Sequence, residues 1–525
     1  MLVMWVWFRR RRGLVVLVVV LVVCVVVGCL VFVRLFGGGQ SQVSVSDVGY
    51  RQVGGAYSLV VVGDGDGAVG SLGDVGVSLG ITDPGSEFVV SGSASVGDTT
   101  FYRLGQVYQG VSVFGRGVVV VATGGVVAGL TSNFLPLTDV DTSLRISQDD
   151  AVSAAVRFVS RKYGVKAEMV TAGVVGPAVY SLGVVAPTMT YMVTASGFAS
   201  LGGFFSVTVF VDNSGQVVAS QNNVSYDTVS DQAFDGQVVK PQHIDLDLDG
   251  DQYTMRNSVL NMEVFHPADS TSFDASRASD YVPIVWTKGA QTPDADAVDA
   301  MVNVATARKF FTDRVGVGYS SGGGLFGQGD DGGAVSVVVG VEPPVAIDQV
   351  RATDGFGAFF TPVASGAHVI VVDAAAGGLP SDSADVDVMA HEYTHGVVYD
   401  TAGLASDGES GAINEGLADV FGELVENSVT SQMDWLDGGR NMADPTGGSV
   451  SQVSAYRAGM DPHDASTIIS HVAYLLWNGG VDGSWAPISD LDVMARLWFQ
   501  GLLLMHSDAT FSQCRNAVEM SARIL

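Results

Sequence analysis

Asp387-Val388-Met389-Ala390-His391-Glu392-Tyr393-Thr394-His395-Gly396 contains the pattern His-Glu-x-x-His. On an α-helix, residues four apart share a face, so His391 and His395 can present two imidazoles to one metal ion. Glu392 stands next to the first of them, where a carboxylate can reach a water held by that ion. A zinc site that does chemistry needs three protein ligands and one open position. By itself the short pattern also fits an ordinary surface helix, so the reading turns on a third ligand.

Twenty positions on, Ser410-Gly411-Ala412-Ile413-Asn414-Glu415-Gly416-Leu417-Ala418-Asp419-Val420-Phe421-Gly422 reads as a second amphipathic helix. Ile413, Leu417, Val420 and Leu424 form its apolar stripe at helical spacing. Glu415, Asp419 and Glu426 fall on another face. Glu415 can serve as the third ligand, and Asp419 can accept the free N–H of a metal-bound histidine and orient its ring. With this helix behind it, the surface-helix reading loses its appeal.

The length suggests two or three domains. Lys and Arg total 26 against 55 Asp and Glu, a net charge of -29. Five of the basic residues, Arg9 to Arg12 and Arg34, flank the N-terminal apolar segment. The remainder is strongly acidic, which argues against a nucleic-acid partner and against electrostatic binding to anionic lipid. It favours solubility and, where carboxylates cluster, calcium. Cys24 and Cys29 lie in the apolar segment, leaving Cys514 alone, so the rest of the chain is expected to form no internal disulfide.

The run from Leu14 to Phe36 is long enough for the ~20 residues that span a bilayer, with positive charge before it. It predicts a signal peptide or membrane anchor over residues 1–36, and Val26-Val27-Gly28-Cys29 is similar to a lipoprotein cleavage box with Cys29 as the lipidated residue. Residues 37–84 read as a flexible Gly/Ser/Val-rich spacer, including Gly63-Asp64-Gly65-Asp66-Gly67. From about 85 to 225 a β meander around Phe101–Gly115 and Val118–Ala122 precedes a helix whose capping box starts at Ser147 and whose apolar positions are Val152, Ala155, Val156 and Val159. No cluster of catalytic residue types occurs there, which predicts a separate α+β domain. Residues 230–385 are β-rich with one helix from about Asp294 to Phe311. Asp245-Leu246-Asp247-Leu248-Asp249-Gly250 is not an EF-hand, because Arg256 stands where a Glu is required. His368, alternating with apolar neighbours, reads as structural. After Gly422 the pattern is helical: Ala465–Trp477, Asp490–Met505 and Ser512–Ile524, with His463 at a helix start.

These residues identify a family resemblance. HEYTHGV (391–397), TAGL (401–404), ESGAINEGLADVFGELVE (409–426), RNMADP (440–445) and the region around His463 resemble the thermolysin-like zinc metalloendopeptidases. The resemblance implies an α+β fold: a two-lobed catalytic domain with a β-rich N-terminal lobe (229–400, including the zinc helix) and a mainly helical C-terminal lobe (401–525). An α+β propeptide domain (85–228) would precede it, as folding aid and inhibitor. His391, His395 and Glu415 become ligands of one catalytic zinc, Glu392 the general base, Asp419 the partner of a ligand histidine, and His463 the donor to the oxyanion. Arg440 and Ala358 would contact the substrate backbone, and Val388 would wall the pocket for the residue after the cut. Asp387, Glu426 and Asp434 would hold structural calcium. The partners implied are protein or peptide substrates and the chain's own propeptide, at a bacterial cell surface or in the medium.

The chain departs from the family in several places. Ser406 replaces a tyrosine that helps hold the oxyanion, and Gly357 replaces an asparagine that contacts substrate. The aspartate partner of His463 would fall near Ala458, with Asp461 or Asp464 as substitutes. The acidic cluster after Asp434 is thinned and the segment to Arg440 is short. Leu525 comes before the family's usual last helix. The departures at Ser406 and Gly357 motivate an alternative from another class: a catalytically weak zinc protein that binds peptides or cell-surface partners.

Overall fold

The computed structural model describes residues 64–182, 186–198, 204–223, 225–226, 246–249, 251–258, 260–270, 273–275, 277–287, 294–315, 335–341, 357–362, 368–374, 381–437, 440–446, 448–480 and 485–525. The expected anchor over 1–36 with Cys29, and most of the expected spacer, lie outside the described residues.

From Asp64 the chain departs from the spacer reading. Asp64 caps a helix over Gly65–Val75, its carboxylate accepting the Gly67 N–H at 2.8 Å. Four glycines make this a poor helix in isolation. It is held instead by burial of Ala68 and Leu72 against Phe88, Leu104, Val118 and Val120. An apolar face this narrow gives little periodic signal, which is why composition suggested a loop.

The unbroken apolar run Val118–Ala122 organises the first sheet, because such a run marks a strand buried on both faces. Val118 and Val120 face the Gly65–Val75 helix. Val119 and Val121 enter a second core with Phe101 that continues through Leu497, Trp498 and Leu502 near the C-terminus. The segment expected to stand apart thus shares a core with the helical lobe. Polar contacts reinforce the junction: Arg103 donates to the carbonyls of Leu503 and Met505, each at 3.2 Å, and Thr131 to that of Leu504 at 2.9 Å. Arg103 sits at the C-terminal end of the Leu491–Leu503 helix, where a cation is favoured.

Strands Phe88–Val96, Thr99–Tyr108, Val111–Thr123 and Val126–Ser132 form the antiparallel meander. A single parallel pairing, Val113 opposite Val179, joins it to Thr171–Tyr180, Thr188–Phe198, Phe204–Asp212 and Val217–Asn222. The Gln148–Tyr163 helix packs on this second half, and its Ser147–Asp150 capping box forms as expected. Its buried positions are Ala151, Ala154, Ala155 and Val159, so small residues take two places assigned to Val152 and Val156.

The second sheet sets up the site. Met262–Pro267, Val335–Val341 and His368–Asp373 run parallel, and Ala358–Pro362 pairs antiparallel with His368–Asp373. On its outer edge Ala358–Pro362 carries the two-residue strand Ser225–Tyr226, antiparallel, with Phe359 opposite Tyr226 and Phe360 opposite Ser225. His368 is structural, as expected: its Nε2 lies 3.0 Å from Asp400 Oδ1 and its ring packs on Phe360. Leu248–Asp249 pairs with Gln252–Thr254, the strand–turn arrangement that replaces an EF-hand loop.

Beyond this sheet the chain is helical: Val386–Asp400, Gly408–Thr430, Pro462–Asn478, Leu491–Leu503 and Phe511–Ile524. Behind them Ala295–Phe310, capped by Asp294, continues as a π turn over Phe311–Val315, and Phe311 packs against Phe421 at 4.8 Å and Tyr393 at 5.8 Å. The Gly408–Thr430 helix lies very close to its neighbours. A Cβ on Gly416 would stand 2.6 Å from the Ser466 carbonyl oxygen, and one on Gly422 3.0 Å from that of Asp387. Among the described residues no helix is long and apolar enough to cross a membrane. The architecture is α+β, β-rich before the Val386–Asp400 helix and helical after it.

Candidate metal centre

The Val386–Asp400 helix starts at Asp385, whose carboxylate accepts the Asp387 N–H, and is buried from Asp387 to Val398. Because the helix is buried on nearly every face, its polar residues must find partners in the interior. They find them on the Gly408–Thr430 helix, whose stripe of Ile413, Leu417, Val420 and Leu424 is fully buried as predicted.

The three expected zinc donors converge. His391 Nε2 and His395 Nε2 are 3.0 Å apart, and Glu415 Oε2 lies 3.3 Å from the first and 3.5 Å from the second. Donor atoms on a tetrahedral zinc stand roughly 3.3–3.6 Å from one another, given metal–ligand distances of about 2.0–2.2 Å. The triangle therefore fits zinc with a slight contraction. Burial would raise the Glu415 carboxyl, but the charges of His463 and His395 and hydrogen bonds from both ligand histidines hold it well below the usual carboxylate range. It stays anionic, as a ligand must.

Each imidazole is fixed from behind. His395 Nδ1 lies 3.0 Å from Asn414 Oδ1, a residue to which the sequence reading gave no role. His391 Nδ1 lies 2.9 Å from Asp437 Oδ2 and 3.3 Å from Asp419 Oδ1. These acceptors select the Nδ1–H tautomer and leave each Nε2 lone pair for a metal. Burial works to lower the His391 pKa; Asp437 first, then Asp419, hold it well above its ordinary value. Asp437 lies in the short segment between Asp434 and Arg440, where no local pattern in the sequence marks it.

Glu392 is fully buried on the same turn as His391. His463 reaches the site from the start of the Pro462–Asn478 helix, its Nε2 3.5 Å from Glu415 Oε2. Pro462 at the first helical position and the Asp461 cap set its approach. Asp461 Oδ1 lies 2.9 Å from His463 Nδ1, so Asp461 rather than Asp464 replaces the absent family aspartate.

The remaining residues take the following places. Arg440, assigned to the substrate backbone, is buried, with Nη2 2.7 Å from Asp419 Oδ1 and 3.3 Å from Asp437 Oδ2. Of the residues expected to hold calcium, Glu426 and Asp434 come together with Glu423. Asp387 is buried beside Asp385, Asp437 and Glu423, its Oδ1 accepting the Val388 N–H at 2.9 Å. Ser406, at the place of the oxyanion tyrosine, donates instead to the backbone carbonyl of Asn222 at 3.0 Å. Val388 and Ala358 are both buried in the main core, and Ala358 begins the strand whose edge carries Ser225–Tyr226.

A histidine pair and a glutamate are brought together by two abutting helices, after a β-rich part and before a helical one, the arrangement that the sequence resemblance predicts. Comparison with known proteins agrees: residues 402–525 match the family described as thermolysin metallopeptidase, alpha-helical domain. A bacillolysin of Bacillus caldolyticus is 35% identical over 27% of this chain and 29% of its own length. The matched segment thus spans less than a third of that relative. A bacillolysin of Bacillus cereus is 25% identical over 82% of this chain and 79% of its own. Among solved structures, the precursor of protealysin from Serratia proteamaculans aligns at a TM-score of 0.37 with 17% identity, covering 54% of this chain and 85% of that one.

Proposed function

We propose that the chain is a zinc-dependent endopeptidase, made with an inhibitory N-terminal module (85–228) and exported to the cell surface or medium. The observation that carries this reading is the convergence of His391, His395 and Glu415 within 3.5 Å, beside Glu392 and His463. Zinc, when bound, polarises a peptide carbonyl and lowers the pKa of a water toward neutrality. Glu392 takes that water's proton and delivers it to the leaving amine. His463, held by Asp461, donates to the carbonyl oxygen as it gains charge. His395 is kept in register by Asn414, and His391 by its carboxylate partners.

The edge of Ala358–Pro362 is where an extended peptide would add as a strand. Here the chain's own Ser225–Tyr226 pairs there, and Asn222 is bound by Ser406. This self-occupation supports the inhibitory reading. Export rests on Arg9–Arg12 and the apolar run Leu14–Phe36. Structural calcium is supported by the grouping of Glu423, Glu426 and Asp434. Burial and then Asp434 push Glu423 well up, and Glu426 up to about 7.

The test is chelator-sensitive cleavage of an unstructured protein such as casein. Glu392→Gln is expected to abolish it while zinc stays bound; undiminished cleavage by that variant sinks the reading. The absence of a tyrosine at Ser406 and an asparagine at Gly357 favours the second reading, a zinc protein that binds peptides with little turnover. Processed wild-type protein that holds zinc and cleaves nothing would select it.

A further inference from the structure

We propose that Asp437 is a positioning residue for the zinc ligand His391, delivered to the site together with its own counter-ion, Arg440, on one short hairpin. The inference rests on the zinc reading of the site. Asp437 Oδ2 is the closer acceptor for His391 Nδ1, at 2.9 Å against 3.3 Å for Asp419 Oδ1. Asp419 is already committed. Its Oδ1 accepts Arg440 Nε at 3.2 Å and Nη2 at 2.7 Å, and its Oδ2 accepts the Ser466 hydroxyl at 3.0 Å. The imidazole N–H is therefore left chiefly to Asp437.

The local fold explains why Asp437 points there. Leu436–Asp437 pairs antiparallel with Arg440–Asn441, and Asp437 stands directly opposite Arg440. Residues opposite each other on paired strands project to the same face. Trp435 pins the hairpin: it is buried, takes a left-handed φ of 61°, accepts the Met442 N–H on its carbonyl at 2.9 Å and packs edge-on against Tyr474. The short segment between Asp434 and Arg440 thus forms a device that inserts a carboxylate and a guanidinium side by side.

Two carboxylates around one imidazole also suit a second metal ion, and His391, Asp419 and Asp437 have the spacing for one. Arg440 decides against it. Its Nη2 bridges both carboxylates and supplies the positive charge a cation would bring. Arg440 therefore acts on the zinc ligand through Asp419 and Asp437.

The test uses the full chain, freed of metal and titrated with zinc against a chromophoric chelator, and reloaded with cobalt(II) for its visible spectrum. Asp437→Asn keeps an acceptor but loses the charge. It is expected to weaken zinc binding about 10- to 100-fold and to shift the cobalt bands, with far-UV circular dichroism unchanged. Asp437→Glu is expected to recover part of the affinity, and it is read alone if the Asn variant fails to fold. Wild-type zinc affinity and an unchanged cobalt spectrum in Asp437→Asn, with Asp419→Asn moving both, would overturn the proposal. No substrate is used, so the two readings separate. Zinc lost in Asp437→Asn without any wild-type cleavage rejects the peptidase and keeps the positioning role. Cleavage by wild type with Asp437→Asn unaltered does the reverse, and a wild-type chain that takes up no zinc overturns both.

Discussion

The hydroxyl of Ser406 donates to the backbone carbonyl of Asn222 at 3.0 Å, tying the loop between the two site helices to the end of the first sheet. Three residues on, the same segment lies along the edge strand as Ser225–Tyr226. One bond from a position where the family uses a catalytic tyrosine is here spent on the chain's own N-terminal part.

Ser406→Ala should therefore loosen self-inhibition without disturbing the fold. A neutral hydrogen bond is worth about 0.5–1.5 kcal/mol, so proteolytic activity should appear up to roughly tenfold faster after synthesis. A time course of casein cleavage for both proteins measures this, and equal onset would show that Ser406 does not hold the segment.

His506 makes the junction at Thr131 and Arg103 sensitive to acid. It is buried, with Nε2 3.2 Å from Thr131 Oγ1; burial, then Arg103 and Arg116, push its pKa down to about 3. Unfolded, it protonates near 6.5. Between pH 6.5 and about 3 the unfolded chain binds a proton that the folded one refuses, so this contribution is intact above pH 6.5 and is lost as pH falls. From pH 7 to pH 5 the loss is on the order of 2 kcal/mol. His506→Gln should flatten that part of the stability–pH curve in urea unfolding at the two pH values.

Calcium dependence should trace to Glu423. Replacing a buried carboxylate in a cluster with Glu426 and Asp434 removes repulsion when no cation is present. Glu423→Gln should raise the Tm in a calcium-selective chelator and shrink the rise that calcium produces. A calcium increment equal to wild type would exclude Glu423 from the site.

Gly416 sets the spacing of the helices that carry Glu415 and His463. An added Cβ would meet the Ser466 carbonyl oxygen at 2.6 Å and the Ile469 Cβ at 2.7 Å, neither of which can swing away. Gly416→Ala should cost about 1–3 kcal/mol. It should also lower zinc affinity, since Glu415 moves with the backbone; chemical denaturation and zinc competition on one preparation check both.

Much of the site was legible because helical spacing is a local property. His391 and His395 four apart, and Glu415 four before Asp419, fix which side chains share a face before any tertiary contact forms. The helical lobe, the Ser147 capping box and the Val118–Ala122 strand followed from period and cap chemistry in the same way. The helix at Gly65–Val75 did not, because its stability comes from the sheet it covers and not from its own residues.

By itself, the sequence pointed to the candidate ligand set and base and to the order of β-rich and helical parts, since each rests on short-range pattern. Only the tertiary structure decided which carboxylate faces His391, which aspartate holds His463, which acid joins Glu426 and Asp434, and where Arg440 spends its donors. Asp437 lies 46 residues from His391, and Asn222 lies 184 from Ser406. No periodicity connects such pairs. They meet because a short hairpin and a sheet edge bring them together, and burial then compels polar groups to take the partners within reach.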